Sequence, residues 1–208
     1  MLVDIHTHRL SKFKNDSIYN LRWEEFPNTI QSAKEGYFSL GFHPWQLNEF
    51  SEIRLELLSS LLSDKRVPAL GECGLDKNSS YPLHEQEAIF EKQILLAEEK
   101  QKPLIIHCVG CFNELLAMKK RLRPSQKWII HGFRGKAQLA EQLLRAGCSL
   151  SFGEKFNEAS LRITPLERLF VETDESPLPI EAIYARLAEV RNCKSSEMNA
   201  GAQWLNSL

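Results

Sequence analysis

Leu2-Val3-Asp4-Ile5-His6-Thr7-His8 opens with an apolar run and ends in two imidazoles two residues apart. In an extended strand the side chains alternate, so His6 and His8 share one face. Two neutral imidazoles at a strand end can ligate a single ion such as zinc, nickel or iron. Taken alone, His-x-His equally describes a surface pair or a satisfied core pair. The remainder of the chain has to decide.

Several further apolar runs have the length of strands. Residues 37–42 run into His43-Pro44-Trp45, and 66–70 are closed by Gly71-Glu72-Cys73-Gly74. Residues 104–106 end at His107, 127–130 at His131, and 168–171 at Glu172-Thr173-Asp174. Residues 148–152 form another run, and 18–23 a short strand candidate. Between them lie segments of helical periodicity: 51–63, 83–101, 112–122, 135–146 with Gly147 as cap, 180–191 and 196–205.

Alternating strands and helices call for right-handed βαβ units around a parallel sheet. Seven or eight strands in 208 residues fit a small (β/α) TIM-type barrel or an open doubly wound sheet. No Gly-rich dinucleotide fingerprint supports the sheet, so an α/β barrel forming one domain over 1–208 is expected. A complete barrel takes about 250 residues. The turn-rich stretch between His8 and Tyr37 is too short for a full unit, and a helix and even a strand are expected to be lost or degraded in this first third.

Composition narrows the function. A hydrophobic fraction of 43% and a charged fraction of 25% are ordinary for a globular protein. No apolar run reaches membrane-span length, and the amino-terminal residues do not read as a signal peptide, so a cytoplasmic protein without membrane contact is expected. A net charge of −1 gives no sign of a broad phosphate-binding surface, so any nucleic-acid contact is expected to be local. The five cysteines form no paired framework, and Cys108-x-x-Cys111 follows an apolar run as a buried small residue would.

The chemistry collects at strand ends. His6 and His8, Glu72, His107, His131 and Asp174 each follow an apolar run. In a parallel barrel all carboxyl ends open on the face where active sites are built. One such residue has an ordinary reading as a core or capping group. Five strands in succession supply four imidazoles and two carboxylates, enough for two metal ions sharing a ligand.

Asp4-Ile5-His6-Thr7-His8, Gly41-Phe42-His43-Pro44, Gly71-Glu72-Cys73-Gly74-Leu75-Asp76, Pro103-Leu104-Ile105-Ile106-His107, Ile130-His131-Gly132-Phe133-Arg134-Gly135 and Glu172-Thr173-Asp174-Glu175-Ser176-Pro177 together resemble the TatD-type metal-dependent deoxyribonucleases. These are amidohydrolase-like TIM barrels. The resemblance implies a divalent-metal phosphodiesterase acting at nucleic-acid ends, DNA favoured. It implies that His6, His8 and Asp174 hold one ion and His107 and His131 the other, with Glu72 bridging. Two ions about 3.5–4 Å apart can activate a water and neutralise charge in the transition state. Glu72 suits a bridge because a carboxylate has two oxygens, and Asp174 would accept the proton from the attacking water, making both catalytic. Zinc, magnesium and manganese remain open, as does oligomeric state.

Substrate contacts are expected from His43 and Arg134 on phosphate and from Trp45 under a base. The plainer alternatives are a structural histidine, a solvated arginine and a packed rim aromatic. His84 reads as a local residue at a helix start. The family often has a basic residue two positions after the equivalent of His107; here it is Val109. The competing functions are a metal-dependent hydrolase of a small phosphoester, or of another ester or amide, in the same superfamily, and a degenerate metal-binding module. No strand-end lysine is available for carbamylation, which argues against a dihydroorotase-like site.

Overall fold

A computed structural model of the chain describes residues 1–9, 16–26, 28–32 and 36–207. The strands are β1 (Asp4–Thr7), β2 (Ser17–Asn20), β3 (Tyr37–Leu40), β4 (Ala69–Asp76), β5 (Leu104–Val109), β6 (Trp128–Ile130), β7 (Ser149–Phe152) and β8 (Leu169–Val171). The helices are α1 (Asn28–Ser32), α2 (Glu52–Leu61), α3 (Leu83–Glu99), α4 (Phe112–Leu122), α5 (Ala137–Arg145), α6 (Glu158–Ile163), α7 (Ile180–Arg191) and α8 (Ala200–Leu205). Strand order in the sheet is the order in the chain, β1 to β8, and β1–β2, β3–β4, β4–β5, β6–β7 and β7–β8 pair in parallel. With helices between the strands, this is a TIM-type α/β barrel fold.

The shortened first third keeps its strand. β2 occupies Ser17–Asn20 and stops short of the expected 18–23. The helix before β3 is reduced to the five residues of α1. The rest of that stretch falls partly outside the described residues.

The described residues divide into two compact units. One runs from Met1 through Tyr19 and again from Ile129 onward; the other runs from Asn20 through Trp128, apart from Gly36 and Tyr37.

In the second unit, α3 organises the strand ends. Gln86, Phe90, Gln93, Ile94 and Ala97 are buried along it, the spacing of one helical stripe. Phe90 lies 5.7 Å from Trp128, ring centre to ring centre; truncating such a ring costs about 3–5 kcal/mol. The two glutamines serve backbone groups. Gln93 accepts from the Phe42 N–H at 2.7 Å and donates to the Phe42 carbonyl at 3.1 Å. Gln86 accepts from the Asp76 N–H at 2.8 Å and donates to the Asp76 carbonyl at 3.0 Å. These amide pairs set the chain just after β3 and at the end of β4.

β4 corrects the expectation of a strand over 66–70 closed by glycines. It runs on to Asp76, with an irregular register against β5 between Leu70 and Cys73. The glycines are inside the strand because β5 approaches closely. A Cβ on Gly71 would sit 2.5 Å from the Ile105 carbonyl oxygen.

In the first unit β8 returns to β1. Thr7 and Asp174 form a parallel bridge; the Asp174 N–H donates to the His6 carbonyl at 2.9 Å, and the His8 N–H donates to the Asp174 carbonyl at 3.2 Å. From α7, the Tyr184 hydroxyl donates to the Val3 carbonyl at 3.0 Å. α6 was not anticipated. It is six residues long, too short for periodicity to register, and is started by Asn157, whose side chain accepts from the Ser160 N–H at 3.1 Å. The last helix covers Ala200–Leu205; Ser196 and Glu197, expected to begin it, belong to a separate 3-10 turn, Ser195–Glu197.

Candidate metal centres

Each unit holds its own cluster of imidazoles and carboxylates. In the first, His6 Nε2 and His8 Nε2 are 3.2 Å apart, and His8 Nε2 lies 3.7 Å from Asp174 Oδ1. The ligand atoms of His6, His8 and Asp174 all lie within 4.8 Å of one another. Two ring nitrogens this close repel unless a proton or a cation stands between them. Asp174 reaches its position through a left-handed backbone, φ 52°, which Asp tolerates better than most residues. Its backbone bonds to β1 then carry the carboxylate to His8.

His131 and Glu172 complete this cluster. The His6 and His131 rings are 4.5 Å apart, centre to centre. Glu172, wholly buried, lies with Oε1 3.4 Å from His131 Nδ1, and the same oxygen accepts the Gly132 N–H at 2.6 Å. Burial works against ionising Glu172. The His131 hydrogen bond, with the charges of His131 and His6, outweighs it and holds the carboxyl below its ordinary value. Asp4, also buried, is pushed up to about 7 by burial, against the pull of two hydrogen bonds from Thr173. Those bonds, Thr173 N–H to Oδ1 at 2.9 Å and Thr173 Oγ1–H to Oδ2 at 2.6 Å, anchor β8 beside β1.

In the second unit the cluster is His43, Glu72 and His107, with ligand atoms again within 4.8 Å of one another. His107 stands between two carboxylates: Nδ1 is 2.9 Å from Glu72 Oε1 and Nε2 is 2.8 Å from Asp76 Oδ2. A neutral imidazole has only one N–H. Bonding both carboxyl groups at once therefore takes a second proton, on the ring or on a carboxyl, or a cation in place of one. That requirement fits a divalent ion held by Glu72 and His107, with Asp76 as the outer carboxylate that orients the ring.

His43 differs. The Trp45 N–H donates to His43 Nδ1 at 3.1 Å, so a neutral ring carries its proton on Nε2. That atom faces Glu72 Oε1 at 3.2 Å. His43 thus presents a donor rather than a lone pair, which suits an oxyanion contact better than metal ligation.

The remaining candidates are scattered. Trp45 is 57% exposed, with its indole N–H bonded to Asp76 Oδ2 at 2.8 Å. Arg134 is exposed in the loop after β6 and belongs to neither metal cluster. His84 is exposed on the first turn of α3, where the capping position is Pro82. Cys108 and Cys111 are buried free thiols, and burial raises both well away from reactive thiolates.

Sequence reasoning passed over Glu172 and Asp76. Both had a signal. Glu172 and Asp174 repeat the i, i+2 spacing of His6 and His8, and Asp76 lies on the face of β4 shared by Glu72 once that strand is known to continue.

The profile of the family described as TatD related DNase matches residues 3–200. The chain belongs to this family. Among TatD relatives it is 36% identical over 148 residues to the human 3'-5' RNA nuclease TATDN2, covering 65% of this chain and 19% of that protein. It is 30% identical over 155 residues to the metal-dependent hydrolase YjjV of Escherichia coli (strain K12), 69% of this chain and 60% of the relative. With the 3'-5' ssDNA/RNA exonuclease TatD of Klebsiella pneumoniae (strain 342) it shares 32% over 163 residues, 73% and 62% of the two chains. The match thus spans about three fifths of the bacterial relatives and one fifth of the human one. The fold agrees with the crystal structure of the TatD homologue YjjV from E. coli K12, with a TM-score of 0.82 at 24% identity over 99% of this chain and 95% of that one. No helix among the described residues is long and apolar enough to cross a membrane.

Proposed function

We propose that this TatD-family chain is a divalent-metal-dependent phosphodiesterase that removes nucleotides from single-stranded nucleic-acid ends. The observation that carries the reading is His107 held between Glu72 and Asp76, a geometry that calls for a second proton or a cation. The cluster of His6, His8 and Asp174 supplies a second donor set of the same chemistry. The relatives named as 3'-5' nucleases of RNA and single-stranded DNA support the substrate class.

We assign two divalent ions: one would be held by His6, His8 and Asp174, with His131 beside them, and the other by Glu72 and His107. Such ions supply Lewis-acid charge that stabilises the negative charge developing on phosphate. The side chains do the rest. Asp174 accepts the proton of the attacking water. His43 turns the Nε2–H that faces Glu72 toward a phosphate oxygen, Arg134 offers a guanidinium to a neighbouring phosphate, and Trp45 stacks beneath a base.

With a net charge of −1, affinity rests on few phosphate contacts, so the salt dependence is shallow. An end-labelled single strand compared with a covalently closed circle, in Mn2+, Mg2+ or Zn2+, tests the reading. Shortening of the linear strand one nucleotide at a time is expected. Equal cutting of the circle, or a salt slope indicating about six or more contacts, counts against end trimming. Turnover of a small phosphoester with no cutting of nucleic acid would replace the substrate class.

A further inference from the structure

Asp76 is nearly inaccessible to solvent, yet one of its oxygens serves two groups with different tasks. Oδ2 accepts the Trp45 indole N–H at 2.8 Å and faces His107 Nε2 at 2.8 Å. The other oxygen, Oδ1, accepts the Asn78 N–H at 2.8 Å, and the Asp76 backbone is held on both sides by Gln86. The carboxylate has no freedom to turn. Trp45, more than half exposed, makes T-shaped contacts with the His43 and His107 rings at ring-centre distances of 5.5 and 6.1 Å. An exposed indole would ordinarily sample several rotamers. Here a buried, immobile acceptor fixes it.

We propose that Asp76 is a positioning residue that registers the Trp45 stacking face to the metal-binding nitrogen of His107. This rests on the reading of Glu72–His107 as a metal site and adds a residue that reading does not need. By holding the His107 proton on Nε2, Asp76 leaves Nδ1 to face Glu72 as a ligand. By holding the indole N–H on the same oxygen, it sets where a stacked base lies relative to that ligand. Asparagine cannot replace it. With the amide oxygen of an Asp76→Asn side chain turned toward Trp45 and His107, its NH2 would face the Asn78 N–H; the reverse orientation would set the NH2 against two donors.

The test combines Zn2+ titration with kinetics on a labelled single strand. In the wild-type protein, Zn2+ is expected to shift the indole N–H resonance of Trp45; the other three tryptophans, Trp23, Trp128 and Trp204, are buried and serve as controls. D76N is expected to weaken Zn2+ binding about 10- to 100-fold. At saturating Zn2+ it should also raise KM for the strand at least about fivefold, the scale of losing one base-stacking contact. W45F should raise KM similarly, and the double variant should be no worse than D76N, because both changes break one link.

A Trp45 resonance unmoved by Zn2+ would overturn the proposal, as would D76N with normal Zn2+ affinity and KM, or multiplying effects in the double variant. The resonance is read on the unaltered protein, so a D76N protein that fails to fold does not remove the test. If the wild-type protein cuts no oligonucleotide, the functional reading fails separately, and the Zn2+ affinity of D76N with the indole shift still judges Asp76.

Discussion

A Cβ at Gly74 would lie 2.0 Å from the carbonyl oxygen of His107, far inside any tolerable contact. Gly74 pairs with His107 across β4 and β5 and takes φ 137°, which L side chains rarely adopt. The glycine therefore permits the approach that places His107 between Glu72 and Asp76. Gly74→Ala is expected to cost at least about 3 kcal/mol and to weaken metal binding with it. Urea unfolding measures this. A variant within about 1 kcal/mol of wild type would mean that the two strands separate without penalty.

Bound metal should stabilise the fold. A ligand at 100 times its Kd adds about 2.7 kcal/mol, which raises Tm by several degrees in a chain of this length. Elemental analysis of protein prepared without chelator, with melting before and after chelation, checks both parts. An unchanged Tm and no bound divalent metal would remove the metal reading.

Glu72→Ala is expected to abolish turnover while the protein stays folded, since the side chain adds little to apolar burial. The number of metal equivalents lost is the informative quantity. Loss of two supports Glu72 as the shared ligand; loss of one restricts it to its neighbours His43 and His107. Near-normal turnover would end its catalytic assignment.

His43→Gln should separate binding from metal loading. Losing a charge-assisted hydrogen bond costs roughly 1.5–3 kcal/mol, or roughly 10- to 100-fold in kcat/KM, with metal content unchanged. Loss of metal instead would show that His43 is a ligand and that its Nδ1 bond to Trp45 does not set the tautomer.

Asp64 gives a pH-dependent stability term remote from the metal clusters. Its carboxyl is held below its ordinary value by Arg66, which it meets through the backbone N–H at 2.8 Å and through Nη2 at 2.7 Å. A carboxyl with a depressed folded pKa stabilises above the unfolded value of 3.8, and the gain disappears as pH falls through the folded value. Asp64→Asn should cost no more than about 1 kcal/mol at pH 7, since the pair is partly solvated. The difference should shrink to nothing in acid. A difference that persists there would mean that the cost is steric.

The sequence by itself determined the order of the strands and of the longer helices, the TIM-type fold and the six metal-type side chains, because alternation, helical period and residue type are local properties. His6 and His8 could be read from two-residue spacing alone. Glu72 could be named, but not its place within a continuing strand: glycines usually stop strands, and only the approach of β5 explains why Gly71 and Gly74 do not. The six-residue α6 and the abbreviated α1 fall below the length at which periodicity speaks.

Tertiary structure alone decided protonation and orientation. The Trp45 N–H that takes His43 Nδ1 comes from two residues along the chain, but the Glu72 carboxylate that Nε2 then faces is brought there by folding. Nothing near Asp76 announces that Trp45, 31 residues earlier, and His107, 31 residues later, meet on one of its oxygens. Glu172 likewise acquires its role from His131, 41 residues away. Residue type states which chemistry a side chain can perform. Which proton it keeps and where its lone pair points follow from the neighbours that folding brings to it.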